Sequence, residues 1–166
     1  MAAGRWYAGR GGPRPPLLKA MAGFSLVSML PDADVIAFTL RIPYQAPLGH
    51  RGASHSIAAA VAVSVVAFGL AQLWKVKAFP LALLTFAVAV SHPLLDTLTS
   101  GGLGCALWWP WSNVRVFAPL RLIPVSPIGV GMLSMRGLRV VVTELGLFSP
   151  FLLYALWPRR RARATS

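Results

Sequence analysis

The sequence predicts an all-α fold: a polytopic helical membrane protein with about four membrane-embedded helices joined by Pro/Gly-rich loops. Three observations carry that expectation. Hydrophobic residues make up 56% of the chain and charged residues 12%, with a mean hydropathy of +0.64, whereas a soluble domain carries roughly 25% charged residues. Apolar residues gather in uncharged runs, the clearest from Ile57 to Trp74, about as long as the roughly 17 to 25 residues a hydrocarbon core requires. Finally, most Lys and Arg lie at the ends of such runs, where membrane helices carry their anchors.

In chain order, residues 1 to 16 are rich in Gly, Pro and Arg without periodicity, which predicts a flexible basic leader. Leu17 to Leu30 is apolar but contains Lys19. At 1.5 Å per residue it reaches only about 21 Å of the ~30 Å needed, so a partial span is expected. Pro31 and the acidic pair after it are expected to break that helix, and Arg41 to Gly52 reads as loop. Ile57 to Trp74 and Ala78 to Leu98 each read as a span. The stretch from Thr99 to Gly137 has too many prolines for a long helix, and it holds Trp108, Trp109 and Trp111, residues that favour the membrane interface. Leu138 to Trp157 forms the last span. Residues 17 to 157 are thus one membrane-embedded domain, and residues 158 to 166 a basic tail.

A net charge of +12 and a pI near 11.7 would suit a nucleic-acid partner if the charge formed a patch. It does not, and the bilayer is the expected partner. With the N-terminus inside and four spans, ten of the sixteen Lys and Arg fall on the inner side, a modest bias in the sense of the positive-inside rule. Cys105 is the only cysteine, which excludes an intrachain disulfide framework and a thiolate metal cluster.

Of three His and four acidic residues in the chain, six fall in three short motifs: Pro31-Asp32-Ala33-Asp34, His50-Arg51-Gly52-Ala53-Ser54-His55-Ser56 and His92-Pro93-Leu94-Leu95-Asp96. A lone intramembrane His or Asp is usually a satisfied structural polar group. Six together point to a site, and four alternating spans bring all three motifs to one side. His92 and Asp96 are four apart, about 40° around a helix and one turn along it, a spacing that can chelate one ion. Pro93 withholds its backbone N–H from Ala89, so a kink is expected there. Ser54 or Ser56 can cap the next helix, leaving His55 at an N-terminus that favours the neutral, metal-binding imidazole. Imidazole and carboxylate donors without cysteine suit zinc, manganese or iron, in one or two copies. Arg51 can anchor a headgroup or hold an oxyanion. Glu144 is expected to pair with Arg139 or Arg136, or to back the site.

At these residues the chain resembles the bacterial inner-membrane, metal-dependent hydrolases of the LexA-regulated or YdjM-like family. The resemblance rests on Leu30 to Asp34, Gly49 to Ser56 and Ser91 to Gly102, with Trp109-Pro110, Pro124 to Gly129 and Glu144-Leu145 in support. It implies a multi-pass helical domain in the inner membrane with a metal-hydrolase site. Family members begin with a segment that carries a histidine, whereas none precedes His50 here, so the reading frame is expected to begin upstream. Ser54 stands where the family usually has threonine.

The resulting expectation assigns Asp32, His55, His92 and Asp96 as ligands of a divalent transition metal, zinc first, with manganese or iron next. Asp34 or His50 would accept a proton and Arg51 would stabilise developing negative charge. The substrate would be an ester or phosphoester, amphiphilic because of where the site lies. The alternative is a metal-ion or proton-coupled transporter, since polar residues in spans also mark ion pathways. Transport ligands, however, favour the bilayer midplane, and these lie at helix ends.

Overall fold

The computed structural model describes residues 1–9, 17–127 and 129–157, and it is helical, with no strand among the described residues beyond two isolated bridges, Thr99 with Ile123 and Cys105 with Val116. The helices are α1 (Ala2–Gly9), α2 (Leu17–Met29), α3 (Ile36–Thr39), α4 (Ile57–Leu73), α5 (Ala78–Thr97) and α6 (Met135–Leu156).

Two expectations change at the N-terminal end. Residues 2–9 form α1, not an irregular leader, because Gly4 lets it lie directly on α2: a Cβ on Gly4 would stand 2.4 Å from the Ala20 carbonyl oxygen. Tyr7 then meets Phe24 edge to face, with ring centroids 5.8 Å apart. The rest of the leader, residues 10–16, and the tail at 158–166 lie outside the described residues. The second change concerns Pro31. It does not end the helical path; it sits at the start of a 3-10 segment, Leu30–Val35, where its missing N–H leaves no helical bond broken. That segment joins α2 to α3, giving a helical stretch of 23 residues from Leu17 to Thr39.

Leu17–Thr39, Ala78–Thr97 and Met135–Leu156 are long and apolar enough to cross a membrane. Helix α4, from the longest uncharged run, has 17 residues and reaches about 26 Å. The segment expected to be partial is therefore long, and the clearest apolar run is the short one. Exposed Val65, Leu73, Phe79 and Leu145 on these helices have lipid to face.

Helices α4 and α5 form a hairpin through a tight turn with Lys75 at φ 53°. Ser64 Oγ donates to the Ala82 carbonyl at 2.7 Å across it. Helix α2 packs on α5, and α1 touches α6. Helix α5 runs on through buried Pro93 to Thr97. The long loop after α5 folds back on the histidine loop: Ala106 N–H donates to the Arg51 carbonyl at 3.0 Å and Ile57 N–H to the Leu107 carbonyl at 3.0 Å. The start of α4, the end of α5 and the 3-10 turn after α2 thereby meet at one end of the bundle.

Candidate metal centre

Three local structures deliver the polar side chains. The tightened turn Leu30–Val35 carries Asp32 and Asp34, the short 3-10 turn Ala53–His55 carries His55, and the last turns of α5 carry His92 and Asp96. Ser56 caps α4, its hydroxyl accepting from Ala59 N–H at 3.0 Å, which fixes the chain direction just after His55. Asp32, His55, His92 and Asp96 each offer one donor atom, and these atoms all lie within 4.8 Å of one another. Asp32, Asp34 and His50 form a second group within the same limit.

Within the first group, His55 Nε2 is 3.5 Å from Asp32 Oδ1 and 3.2 Å from Asp96 Oδ2. His92 Nε2 is 3.3 Å from Asp32 Oδ1 and 3.8 Å from Asp96 Oδ2. Both nitrogens are buried, and neither makes a hydrogen bond. A buried polar atom left without one costs about 1–3 kcal/mol. Two such nitrogens facing the same two carboxylates are what a divalent cation would satisfy, and the donor set suits one. Cys105 is no donor in this group: burial, with the Asp96 charge adding to it, pushes its thiol up to about 12.

Burial opposes a charged His55 ring, but the carboxylates of Asp32, Asp34 and Asp96 packed around it outweigh that and raise its pKa to about 10. The helix terminus expected to keep this ring neutral is overruled by three carboxylates. A cation bound here would displace the proton.

Asp34 lies behind His55. It meets His50 Nδ1 at 2.5 Å through Oδ1, accepts from Arg51 N–H at 3.0 Å through Oδ2, and accepts from the Ser54 hydroxyl. His55 Nδ1 lies 3.0 Å from Asp34 Oδ2 and 3.0 Å from Ser54 Oγ. With its Nδ1 side facing acceptors, the ring turns Nε2 toward the other group. His50 is boxed by Phe38 and Tyr44, at centroid distances of 5.6 and 5.3 Å.

Arg51 is buried, with a left-handed backbone at φ 60°. Its Nη1 donates to Thr99 Oγ1 at 2.9 Å and to the Gly101 carbonyl at 3.3 Å, and its Nε sits 3.1 Å from Asp96 Oδ2. Thr99 in turn donates to the Asp96 carbonyl at 2.8 Å. Arg51 thus ties the end of α5 to the histidine loop. Half-buried Glu144 forms no ion pair with Arg136 or Arg139 among the described residues, which leaves the alternative expected for it, a group that backs the site, where it feels the Asp96 charge.

Sequence reasoning missed Arg115 and Tyr44. Arg115 donates to the carbonyls of His50 at 2.8 Å, Tyr44 at 2.7 Å and Ala46 at 3.2 Å, and its guanidinium lies 5.4 Å from the Tyr44 ring centroid. It clamps the histidine loop from the long loop. Nothing in the sequence separates it from the other loop arginines.

The comparisons agree with a chain of the inner membrane. The family model of YdjM inner membrane proteins matches residues 1–162. Inner membrane protein YbcI of Escherichia coli strain K12 is 37% identical over 152 residues, covering 89% of this chain and 87% of that protein. No solved structure matches the chain. A helical, inner-membrane chain matched over nearly its whole length in this way belongs to the YdjM inner membrane protein family.

Proposed function

We propose that Asp32, His55, His92 and Asp96 bind a divalent transition metal and that the protein uses it to hydrolyse an ester or phosphoester at the membrane surface. The observation that carries this reading is the pair of buried Nε2 atoms, on His55 and His92, that face two carboxylates without a hydrogen bond. Two imidazoles and two carboxylates without a thiolate favour zinc, then manganese or iron. Such an ion, when bound, acts as a Lewis acid and lowers the pKa of water from about 15.7 towards about 7.

The chain's own residues divide the remaining work. Asp34 is engaged by His50, Arg51, Ser54 and His55, so it acts as a positioning residue in place of the proton acceptor expected from sequence. Proton acceptance falls to His50, whose Nδ1 is held by Asp34 and whose Nε2 is not. Arg51 spends its charge on Asp96 and orients that carboxylate instead of meeting the substrate. Asp32, with 48% of its side chain exposed, marks the open side by which an ester would enter.

The test is element analysis of purified protein and of His55→Ala, with chelator-sensitive turnover of a broad ester and phosphoester panel. Bound metal lost in His55→Ala, together with such turnover, supports the reading. Metal-free wild type that takes none up on reconstitution refutes it. Metal flux into sealed vesicles without any turnover replaces the enzyme by a transporter.

A further inference from the structure

Two cavities lie end to end along α2. The larger, about 770 Å³, is lined by Lys19, Gly23 and Val27 of α2, by Val63 and Leu70 of α4 and, at its far end, by Trp74. The smaller, about 180 Å³, shares Val27 and Val63 with it and ends at Pro31, Ser54 and Ala89. Pro31 adjoins Asp32 in the chain, Ser54 adjoins His55, and Ala89 lies one turn before His92–Pro93. An apolar groove therefore runs from the level of Lys19 and Trp74 to residues that adjoin the ligand cluster.

We propose that this groove holds one hydrocarbon chain of a membrane amphiphile whose ester or phosphoester headgroup lies at the cluster. This rests on the hydrolytic reading above and names its substrate class. Three features select a single chain. Lys19 to Pro31 spans about 18 Å at the helical rise, close to the roughly 15 Å of half a hydrocarbon core. The neck holds about 180 Å³, well under the roughly 420 Å³ that one turn of a helix about 10 Å across and 5.4 Å long fills, so a second copy or a partner helix is a poor fit beside the cluster. The groove is also held open by a glycine: a Cβ built on Gly23 meets nothing within 4 Å. A glycine inside a helix weakens it, and a larger side chain here would enter the space that Gly23 lines.

The test uses a single-chain alkyl phosphate carrying a diazirine near its tail, irradiated with the full-length protein in lipid nanodiscs, and the sites of labelling are mapped. Labels concentrate on α2 and α4 around Gly23, Val27 and Val63. Gly23→Leu places a side chain in the groove while restoring a good helix former, and it lowers labelling there by about tenfold or more, as filling a hydrophobic pocket does. It lowers the ratio of long-chain to short-chain ester turnover in the same direction. Labels spread evenly over the exposed faces at Val65, Leu73 and Phe79, unchanged in Gly23→Leu, overturn the groove. If chelator-sensitive turnover persists in that case, the hydrolytic reading survives alone. Groove labelling with no turnover of any ester overturns the substrate assignment together with that reading.

Discussion

Replacing Asp34 by Asn separates a residue that orients a ligand from one that is a ligand. The carboxylate serves His50 Nδ1 at 2.5 Å on one oxygen, and Arg51 N–H at 3.0 Å with the Ser54 hydroxyl on the other. Asn has one acceptor oxygen, so whichever way it turns, an NH2 group faces donors on one side. Hydrogen bonds to charged groups are worth about 1.5–3 kcal/mol each. If the side facing Ser54 and His55 loosens, His55 loses the contacts that turn its Nε2 inward. The expected effect is a metal affinity weaker by about 10- to 100-fold, or about 1.4–2.8 kcal/mol, which is one charged hydrogen bond and not the loss of a ligand. The assay is competition for zinc against a chromophoric chelator in detergent, with circular dichroism to verify the helices and Ser54→Ala as the milder companion. Equal affinity in Asp34→Asn and wild type would show that His55 is oriented without Asp34. A loss as complete as that of His55→Ala would make Asp34 a direct ligand.

Three further outcomes follow from the same geometry. Arg115→Ala leaves the His50, Tyr44 and Ala46 carbonyls without their donor; stability falls by about 2–4 kcal/mol, read as a lower midpoint in detergent denaturation, and Arg115→Lys recovers part of it. Cys105, held at about 12 against 9.0 for a free thiol, alkylates about a thousandfold more slowly in folded than in denatured protein at mildly alkaline pH; because folding favours the neutral thiol, that contribution to stability is lost as pH rises above 9.0, and equal alkylation rates would refute the burial of this side chain. Gly4→Val drives a side chain into the Ala20 carbonyl, separates α1 from α2 and costs about 1–3 kcal/mol, seen as faster proteolysis of residues 1–9.

The helical membrane architecture is legible in the order of the amino acids alone, because a bilayer demands long apolar segments and these show in composition without any knowledge of packing. The same order also locates the polar cluster. His92 and Asp96 share a helix face by spacing alone, and alternating spans carry the motifs of Asp32, His55 and His92 to one end of the bundle. How these residues contact one another depends on packing between distant segments. Pro31 tightens a helix instead of ending it because the chain continues into α3. Helix α1 exists because Gly4 fits against Ala20, a fit that the glycine, proline and arginine content of the first sixteen residues concealed. Four groups converge on Asp34, and Arg51 Nε lies against the Asp96 carboxylate, contacts that no spacing in the sequence specifies. Arg115 was invisible for a general reason. It acts on backbone carbonyls up to 71 residues away, and a carbonyl is the same group on every residue, so no side-chain pattern in the sequence records which ones a folded loop will present.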